Sequence, residues 1–334
     1  METTIYLATA RGGLTVIARR DGNWRGKVCL KDRQVQCVVA DSTKRGSVHC
    51  GTFGDGLFTS ENGGATWEKS ASFTEPNVMA LASSRSGSLY VGTELSAVYR
   101  SDDQGKTWQA LQTLLTLPSA KGWSFPPRPE THHVQSILPD LADPRRLHVA
   151  VEAGALLRSD DEGRTWRDRI PSGPKDTHSL AVHPLDPTRL HSAAGDGYFE
   201  SVDDGDSWRR IVDGLKHQYC WSVAVGFDDP KTFLLSASNS AYGAHYKESA
   251  NSVVYRRTGN DAWQLLQDGL PDPKGVRIPV LATSRIEPGV FYCSTEGAVY
   301  RSEDGGMKWH KLSIQWDCEA SNEHPLNMEI AEEN

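Results

Sequence analysis

The octapeptide SDDQGKTW, from Ser101 to Trp108, recurs in close copies along this chain of 334 residues. The other copies begin at Ser60 (SENGGATW), Ser159 (SDDEGRTW), Ser201 (SVDDGDSW) and Ser302 (SEDGGMKW). An acidic side chain followed by glycine is typical of a tight turn, because the carboxylate accepts backbone hydrogen bonds and glycine tolerates a positive φ. Every repeat needs such a turn, whereas no protein needs the same catalytic machinery in each repeat. We therefore interpret the motif as structural.

A tryptophan at the end of each unit marks the repeat. The seven markers are Trp24, Trp67, Trp108, Trp166, Trp208, Trp263 and Trp309. Three short strands are predicted before each marker and a fourth after it, as in HSLAVHP from His178 and RLHSAAG from Arg189. Four strands in about 40 to 50 residues are the pattern of a propeller blade. We predict an all-β fold, a single seven-bladed β-propeller of four-stranded antiparallel blades over residues 1–334, closed by chain within 312–328.

The octapeptide resembles the Asp-box, or BNR repeat, Ser-x-Asp-x-Gly-x-Thr-Trp, at the turn between the third and fourth strands of a blade. Asn62 replaces the aspartate in one copy and Lys308 the threonine in another. The chain is thus similar to the Asp-box propellers, which include sialidases, xyloglucan-active hydrolases, the sortilin ectodomain and the Ycf48-type assembly factors of photosystem II. The resemblance implies the architecture but no single activity, because this fold serves enzymes, receptors and scaffolds alike.

Charge and cysteine usage narrow the class of protein. The chain carries 36 basic and 43 acidic residues, for a net charge of −7, without a long block of one sign. The lack of a basic patch or tail argues against nucleic acid and against an anionic membrane as partners. The first residues do not read as a secretion signal, and the six cysteines form no C-x-x-C pair, so we expect a cytoplasmic protein with reduced thiols.

Two insertions indicate which face of the ring carries a site. Residues 118–133 (PSAKGWSFPPRPETHH) precede the fourth blade, and residues 239–252 (NSAYGAHYKESANS) lie between two strands of the sixth. Both are expected on the face where the chain enters the first strands, opposite the Asp-box turns. Extra loops on a rigid scaffold commonly carry function, so we predict a ligand site at that mouth of the channel.

Alignment of the repeats brings reactive side chains to the same mouth. One aligned position reads His133, Asp176, Tyr219 and Arg277. The predicted catalytic residues are His133, His178, Tyr219, Glu152 and Asp196. The predicted ligand-binding residues are Trp123, Arg128, Trp221, His245 and Arg277. Arg128 lies on a proline-rich loop, and its planar guanidinium suits an anionic group of a ligand.

A hydrolase or lyase acting on a small-molecule or saccharide-like anionic substrate is the first of three functions that stay open. Glycoside cleavage uses two carboxylates about 5 to 9 Å apart. The mouth offers Glu94, Glu152, Asp196 and Glu296. Resemblance to sialidases would make Tyr219 a nucleophile and would use Arg11, Arg128 and Arg277 to hold a carboxylate, but sialidases have six blades.

The two other functions are a metal-assisted site and an interaction module. Imidazoles from separate blades suit a divalent transition metal. The candidate ligands are His132, His133, His178 and His245. Adjacent strand residues point to opposite sides, so at most one of His132 and His133 faces the channel. A non-catalytic scaffold of the Ycf48 type would instead use Trp123 and Tyr242 as anchors in the inserted loops.

Overall fold

The structure is a computed structural model that describes residues 2–9, 11–317 and 323–333. Its strands form seven small sheets, in which all pairs are antiparallel except one at the outer edge of the first sheet. The innermost strand of each sheet lies against the innermost strand of the next, and the last of them lies against the first. The described chain is therefore a closed seven-bladed β-propeller, which confirms the predicted fold class.

The first blade contains both ends of the described chain. Its N-terminal strands are β1 (Glu2–Thr9), β2 (Gly13–Arg20) and β3 (Asn23–Cys29). The next three blades contain β4 (Gln34–Ala40), β5 (Val48–Phe53), β6 (Gly56–Ser60), β7 (Glu68–Lys69), β8 (Val78–Ser83), β9 (Leu89–Thr93), β10 (Val98–Ser101), β11 (Gln109–Ala110), β12 (Val134–Pro139), β13 (Leu147–Val151) and β14 (Ala155–Ser159). The outer edge of the fourth blade is reduced to one bridge between Arg158 and Arg167.

The remaining blades follow the same order from the channel outwards. They contain β15 (Thr177–His183), β16 (Asp186–Ala194), β17 (Gly197–Ser201), β18 (Arg209–Arg210), β19 (Tyr219–Val225), β20 (Thr232–Ser238), β21 (Ser252–Thr258), β22 (Gln264–Leu266), β23 (Val280–Thr283), β24 (Phe291–Thr295), β25 (Ala298–Ser302) and β26 (His310–Lys311). A 3₁₀ turn (Leu114–Thr116) precedes the first inserted loop, and the two inserted loops contain a second 3₁₀ turn (Pro118–Gly122) and the short helix α1 (Ala241–His245). Among the described residues, no helix is long and apolar enough to cross a membrane.

Two further strands beyond Trp309 complete the first blade. Strand β27 (Ile314–Trp316) runs parallel to β3 at the outer edge, and β28 (Pro325–Glu333) pairs antiparallel with β1 beside the channel. The closing strand begins within the predicted range of residues 312–328 but continues beyond it, to Glu333. Its pairing with β1 supplies the inner strand that the N-terminal strands lack.

The Asp-box turns are held by hydrogen bonds within each turn. The Ser101 hydroxyl accepts a hydrogen bond from the Gly105 N–H and donates one to Asp103, both at 2.8 Å. Asp103 accepts the Thr107 N–H at 2.9 Å and the Thr107 hydroxyl at 2.6 Å. The hydroxyl and N–H bonds from Thr107 lower the pKa of Asp103 to about 2. The copies at Ser159 and Ser201 repeat these bonds, so the motif has a structural role: it stabilises the turn between the third and fourth strands.

Candidate functional site

The central channel holds the cavity beside which the predicted residues gather. Its volume is about 210 Å³, and all seven innermost strands line it, with His178 and Trp221 in the wall. We call the end at which the innermost strands begin the entry mouth. A separate cavity of about 540 Å³ opens at the other end, near Pro139, His183 and Phe227.

His133 and Glu152 form a buried ion pair at the entry mouth. His133 immediately precedes β12 and Glu152 immediately follows β13, so the pairing of these strands places them together. The His133 Nε2 atom lies 2.7 Å from Glu152 Oε2. Burial favours the neutral forms, but the hydrogen bond and opposite charges outweigh it. The net effect raises the pKa of His133 and lowers the pKa of Glu152.

His178 meets two carboxylates beside this pair. Its Nε2 atom lies 3.8 Å from Glu152 Oε1 and 3.7 Å from Asp176 Oδ1, too far for a hydrogen bond to either. Its Nδ1 atom lies 2.6 Å from the Cys220 carbonyl oxygen, to which it donates a hydrogen bond. The donation fixes the ring so that Nε2 faces the carboxylates.

Asp176 is fixed by its backbone neighbours rather than by a cation. Its Oδ1 atom accepts a hydrogen bond from the Ala153 N–H at 2.7 Å, and its carbonyl accepts one from the Gly195 N–H at 2.8 Å. A Cβ on Gly195 would lie 2.0 Å from Asp176 Oδ2, so the position needs glycine. Burial raises the pKa of Asp176, and the nearby charge of Glu152 adds to this shift.

A second ion pair approaches His133 from the other side. The Arg128 guanidinium lies between the rings of Phe53 and Phe125, 4.9 and 5.0 Å from their centres. It contacts Glu94 at 2.5 Å, and the same Glu94 oxygen lies 3.9 Å from His133 Nδ1. Arg128 is thus paired with a carboxylate inside the protein. We call Glu94, His133, Glu152, Asp176 and His178 the carboxylate–histidine cluster.

Aromatic and imidazole rings form the wall beside His178. The His178 ring lies 5.1 Å from the ring of Tyr219 and 4.5 Å from that of Trp221. The Tyr219 hydroxyl lies 3.1 Å from His245 Nε2, and His245 Nδ1 lies 3.3 Å from His324 Nε2. Burial lowers the pKa of His245 to about 4 and raises the pKa of Tyr219, so both side chains are neutral near pH 7.

Comparison with known proteins identifies the repeat. Residues 99–110 match the model of the BNR/Asp-box repeat. The protein is a BNR-type β-propeller. A GH74 enzyme of Niastella koreensis has a similar structure, with a TM-score of 0.68 and 15% identity over 92% of this chain and 52% of that one. YCF48 from Cyanidioschyzon merolae gives a TM-score of 0.58 at 14% identity, over 85% of this chain and 86% of that one.

A relative with a described activity matches part of this BNR propeller. The xyloglucanase Xgh74A of Acetivibrio thermocellus is 25% identical over 201 residues, which are 54% of this chain and 20% of the relative. The matched segment therefore spans about one fifth of the length of that enzyme. Glycoside hydrolases and a YCF48 protein are thus both among the proteins that this BNR propeller resembles.

The BNR propeller gathers some of the predicted residues and separates others. Those in mutual contact at the entry mouth are His133, Glu152, His178, Tyr219, Trp221 and His245. Asp196 accepts the Lys175 N–H at 3.2 Å, and its charge adds to the raised pKa of Asp176. Arg277 pairs with Glu296 at 2.6 Å.

The remaining predicted residues contact the inserted loop or its neighbours. The buried Trp123 indole donates a hydrogen bond to the Ser119 hydroxyl at 3.1 Å and belongs to a hydrophobic cluster with side chains of β12, β13 and β14, so it is a core residue. The His132 ring lies 2.8 Å from the Ser96 hydroxyl. Among the four histidines predicted as metal ligands, His178 alone belongs to a group of donors in the described chain that could share an ion.

Two residues of the site were missed as functional residues. Asp176 shares an aligned position with His133 and Tyr219, but the aspartate predicted as catalytic is Asp196. The spacing of two residues between Asp176 and His178 was the signal that could have found it. His324 lies in the segment before β28, which matches no repeat, so alignment of the blades gave no signal for it.

Proposed function

We propose that this BNR propeller binds a saccharide at its entry mouth and hydrolyses a glycosidic bond there. One observation carries the proposal: carboxylates from neighbouring blades, Glu152 and Asp176, meet around His178 with their nearest donor atoms within 4.8 Å. Hydrolysis of a glycoside needs one group that protonates the leaving oxygen and a second that attacks or activates water. The similarity to a xyloglucanase supports this class of substrate.

The two carboxylates suit different roles. The Asp176 side chain is 27% exposed, whereas that of Glu152 is 11% exposed and bound to His133. We assign proton donation to Asp176, because its carboxyl group is the more exposed of the two. We assign the role of the ionised nucleophile to Glu152, because the hydrogen bond from His133 favours its charged form. Because single oxygens of the two groups lie within 4.8 Å of each other, we expect the retaining arrangement, in which the carboxyl groups are about 5 to 5.5 Å apart, rather than the wider inverting one.

The charges of the mouth favour a neutral saccharide over the anionic ligand that the sequence suggested. Arg128 is paired with Glu94 and Arg277 with Glu296, so a carboxylate of the protein already neutralises much of the charge of each guanidinium. Tyr219 and Trp221 offer ring surfaces beside His178, against which a pyranose can pack.

The test compares variants that keep the shape of each carboxylate. Asp176→Asn and Glu152→Gln are assayed on xyloglucan oligosaccharides and on aryl glycosides, with Asp272→Asn on the exposed surface as the matched control. We expect the two site variants to lose at least about 100-fold in rate, the usual contribution of a general acid or base, and the control to lose nothing. Equal activity in all four proteins contradicts the assignment of these residues.

A non-catalytic interaction module is the second candidate, because the chain covers 86% of a YCF48 protein. A wild-type protein that releases no sugar from any tested glycoside and binds none contradicts the hydrolase and favours this alternative. A protein that binds oligosaccharides without cleaving them retains the saccharide site and loses the hydrolytic role.

A further inference from the structure

We propose that Glu152, Asp176 and His178 form a binding site for one divalent transition-metal ion, such as Zn²⁺, at the entry mouth. The three side chains offer one imidazole nitrogen and two carboxylate oxygens, all within 4.8 Å of one another. They come from consecutive blades, which the ring holds at fixed positions around the channel.

The distances are close to those that a metal imposes. Ligand atoms at about 2.0 to 2.1 Å from a tetrahedral Zn²⁺ lie about 3.3 Å from one another. His178 Nε2 is 3.8 Å from Glu152 Oε1 and 3.7 Å from Asp176 Oδ1. A contraction of about 0.5 Å brings each of these oxygens to this distance from Nε2. The ligand oxygens of Glu152 and Asp176 lie within 4.8 Å of each other, so they approach by at most about 1.5 Å, which rotation of the side chains supplies.

The His178 nitrogen independently points to a ligand. Its Nε2 atom is buried and has no hydrogen-bond partner among the described residues, although its side chain is only 1% exposed. A buried polar atom without a partner is costly and calls for an explanation. In the neutral ring this atom carries a lone pair that faces two carboxylates, an arrangement that a cation stabilises.

Each of the three ligands is oriented by a further contact. His178 donates its other ring N–H to the Cys220 carbonyl, which is the usual second contact of a metal-binding histidine. Asp176 accepts the Ala153 N–H, and Glu152 accepts a hydrogen bond from His133. These contacts fix the donors before an ion arrives and so reduce the ordering that binding requires.

The donor set selects the class of ion. Imidazole together with carboxylates suits Zn²⁺ and other first-row divalent ions, whereas Mg²⁺ and Ca²⁺ prefer oxygen ligands alone. Three protein ligands leave a fourth position for water or for a substrate oxygen, as in catalytic rather than structural zinc sites.

The consequence for catalysis rests on the proposed function. The bound ion coordinates the carboxylate oxygens of Glu152 and Asp176, which are the groups that the proposed hydrolysis requires. We therefore expect Zn²⁺ to slow hydrolysis and a chelator to restore it. Metal binding itself is measured without saccharide, so the two proposals fail separately.

The experiment titrates Zn²⁺ into protein that has been stripped with EDTA and returned to metal-free buffer, with calorimetry as the readout. We expect one ion per chain. His178→Gln and Asp176→Asn should each weaken binding by at least about 100-fold, since loss of an outer contact alone costs 10- to 100-fold. The exposed His310→Gln serves as the matched control and should bind as the wild type does. Co²⁺ in place of Zn²⁺ should give a visible absorption band that is lost in both site variants.

Asp176→Asn keeps the shape of the side chain and therefore decides the outcome if His178→Gln does not fold, as judged by circular dichroism. A wild-type protein without saturable Zn²⁺ uptake overturns the inference, and so does undiminished binding by Asp176→Asn. Metal binding without hydrolysis leaves this inference standing and contradicts the proposed function. Hydrolysis without metal binding overturns this inference and leaves the proposed function standing.

Discussion

The Nε2–H of His133 donates a hydrogen bond across 2.7 Å to Glu152, and both side chains are buried. The bond joins the residue before β12 to the residue after β13, so it closes the entry end of the fourth blade. It also turns the second oxygen of Glu152 towards His178. One ion pair thus connects the stability of the blade with the geometry of the proposed site.

Removal of one partner from this pair should therefore destabilise the protein strongly. We expect His133→Ala to lower the free energy of unfolding by about 3 to 5 kcal/mol, because Glu152 is left as an unpaired buried charge. The double variant His133→Ala/Glu152→Ala should lose less than the sum of the two single losses. Urea unfolding of the wild type and the three variants measures this coupling. Additive losses would contradict the pairing.

Buried neutral histidines should make the protein sensitive to acid. Burial lowers the pKa of His148 to about 4, and the same cause lowers the pKa of His191 to about 3. A histidine that takes up its proton less readily when folded reduces stability as the pH falls from about 6.5 to the folded pKa. Stability should thus decline between about pH 6.5 and pH 4, with on the order of 3 kcal/mol from His148 alone.

The His148→Phe variant tests the source of this acid sensitivity. Phe cannot take up a proton, so the variant should lose less free energy of unfolding between pH 7 and pH 4 than the wild type does. The expected difference is about 3 kcal/mol. The exposed His310→Gln is the control and should follow the wild-type curve. Parallel curves for His148→Phe and the wild type would show that another group is responsible.

The Asp-box turn should contribute to stability and not to catalysis. Ser159 is buried and accepts the buried Gly163 N–H at 2.8 Å. Ser159→Ala leaves this N–H without an acceptor, at a cost of about 1 to 3 kcal/mol. Thermal unfolding should reveal the loss, whereas the rate at saturating substrate, measured well below the melting temperature, should not change. A folded variant with no activity would indicate that the reactive site lies on the Asp-box face.

The Asp-box copies explain why the architecture was predictable from sequence. Their hydrogen bonds join residues that are only a few positions apart in the chain. The residue types at Ser101, Asp103 and Gly105 therefore identify the turn from the sequence alone. Once blades were aligned, the ends of neighbouring strands placed His133 and Glu152 together. The predicted range of the closing strand contains only the first residues of β28, because this strand has no Asp-box and no tryptophan marker from which its bounds could be read.

The contacts of the site were less predictable because they join different blades. The sequence gives no sign that Arg128, from one loop, pairs with Glu94, from the turn after β9. The choice between Asp176 and Asp196 depends on side-chain direction: Asp176 accepts the Ala153 N–H beside His178, whereas Asp196 accepts the Lys175 N–H. His324 comes from a segment without a repeat and reaches His245 only because the ring closes.

The last prediction concerns the rim of the entry mouth. Tyr242 and Tyr246 stack on α1 with ring centres 4.9 Å apart, and their residues are 69% and 56% exposed. The same helix ends at His245, whose ring packs on Trp221 inside the mouth. Exposed aromatic rings beside a pocket are typical of a binding surface.

We expect Tyr242→Ala to weaken oligosaccharide binding by more than about 1 kcal/mol, or at least about fivefold, with little change in stability. Phe227→Ala, at the opposite mouth and 40% exposed, is the control and should leave affinity unchanged. Equal losses in the two variants would contradict a specific contact with Tyr242, and a loss in Phe227→Ala alone would place the saccharide at the opposite end of the channel.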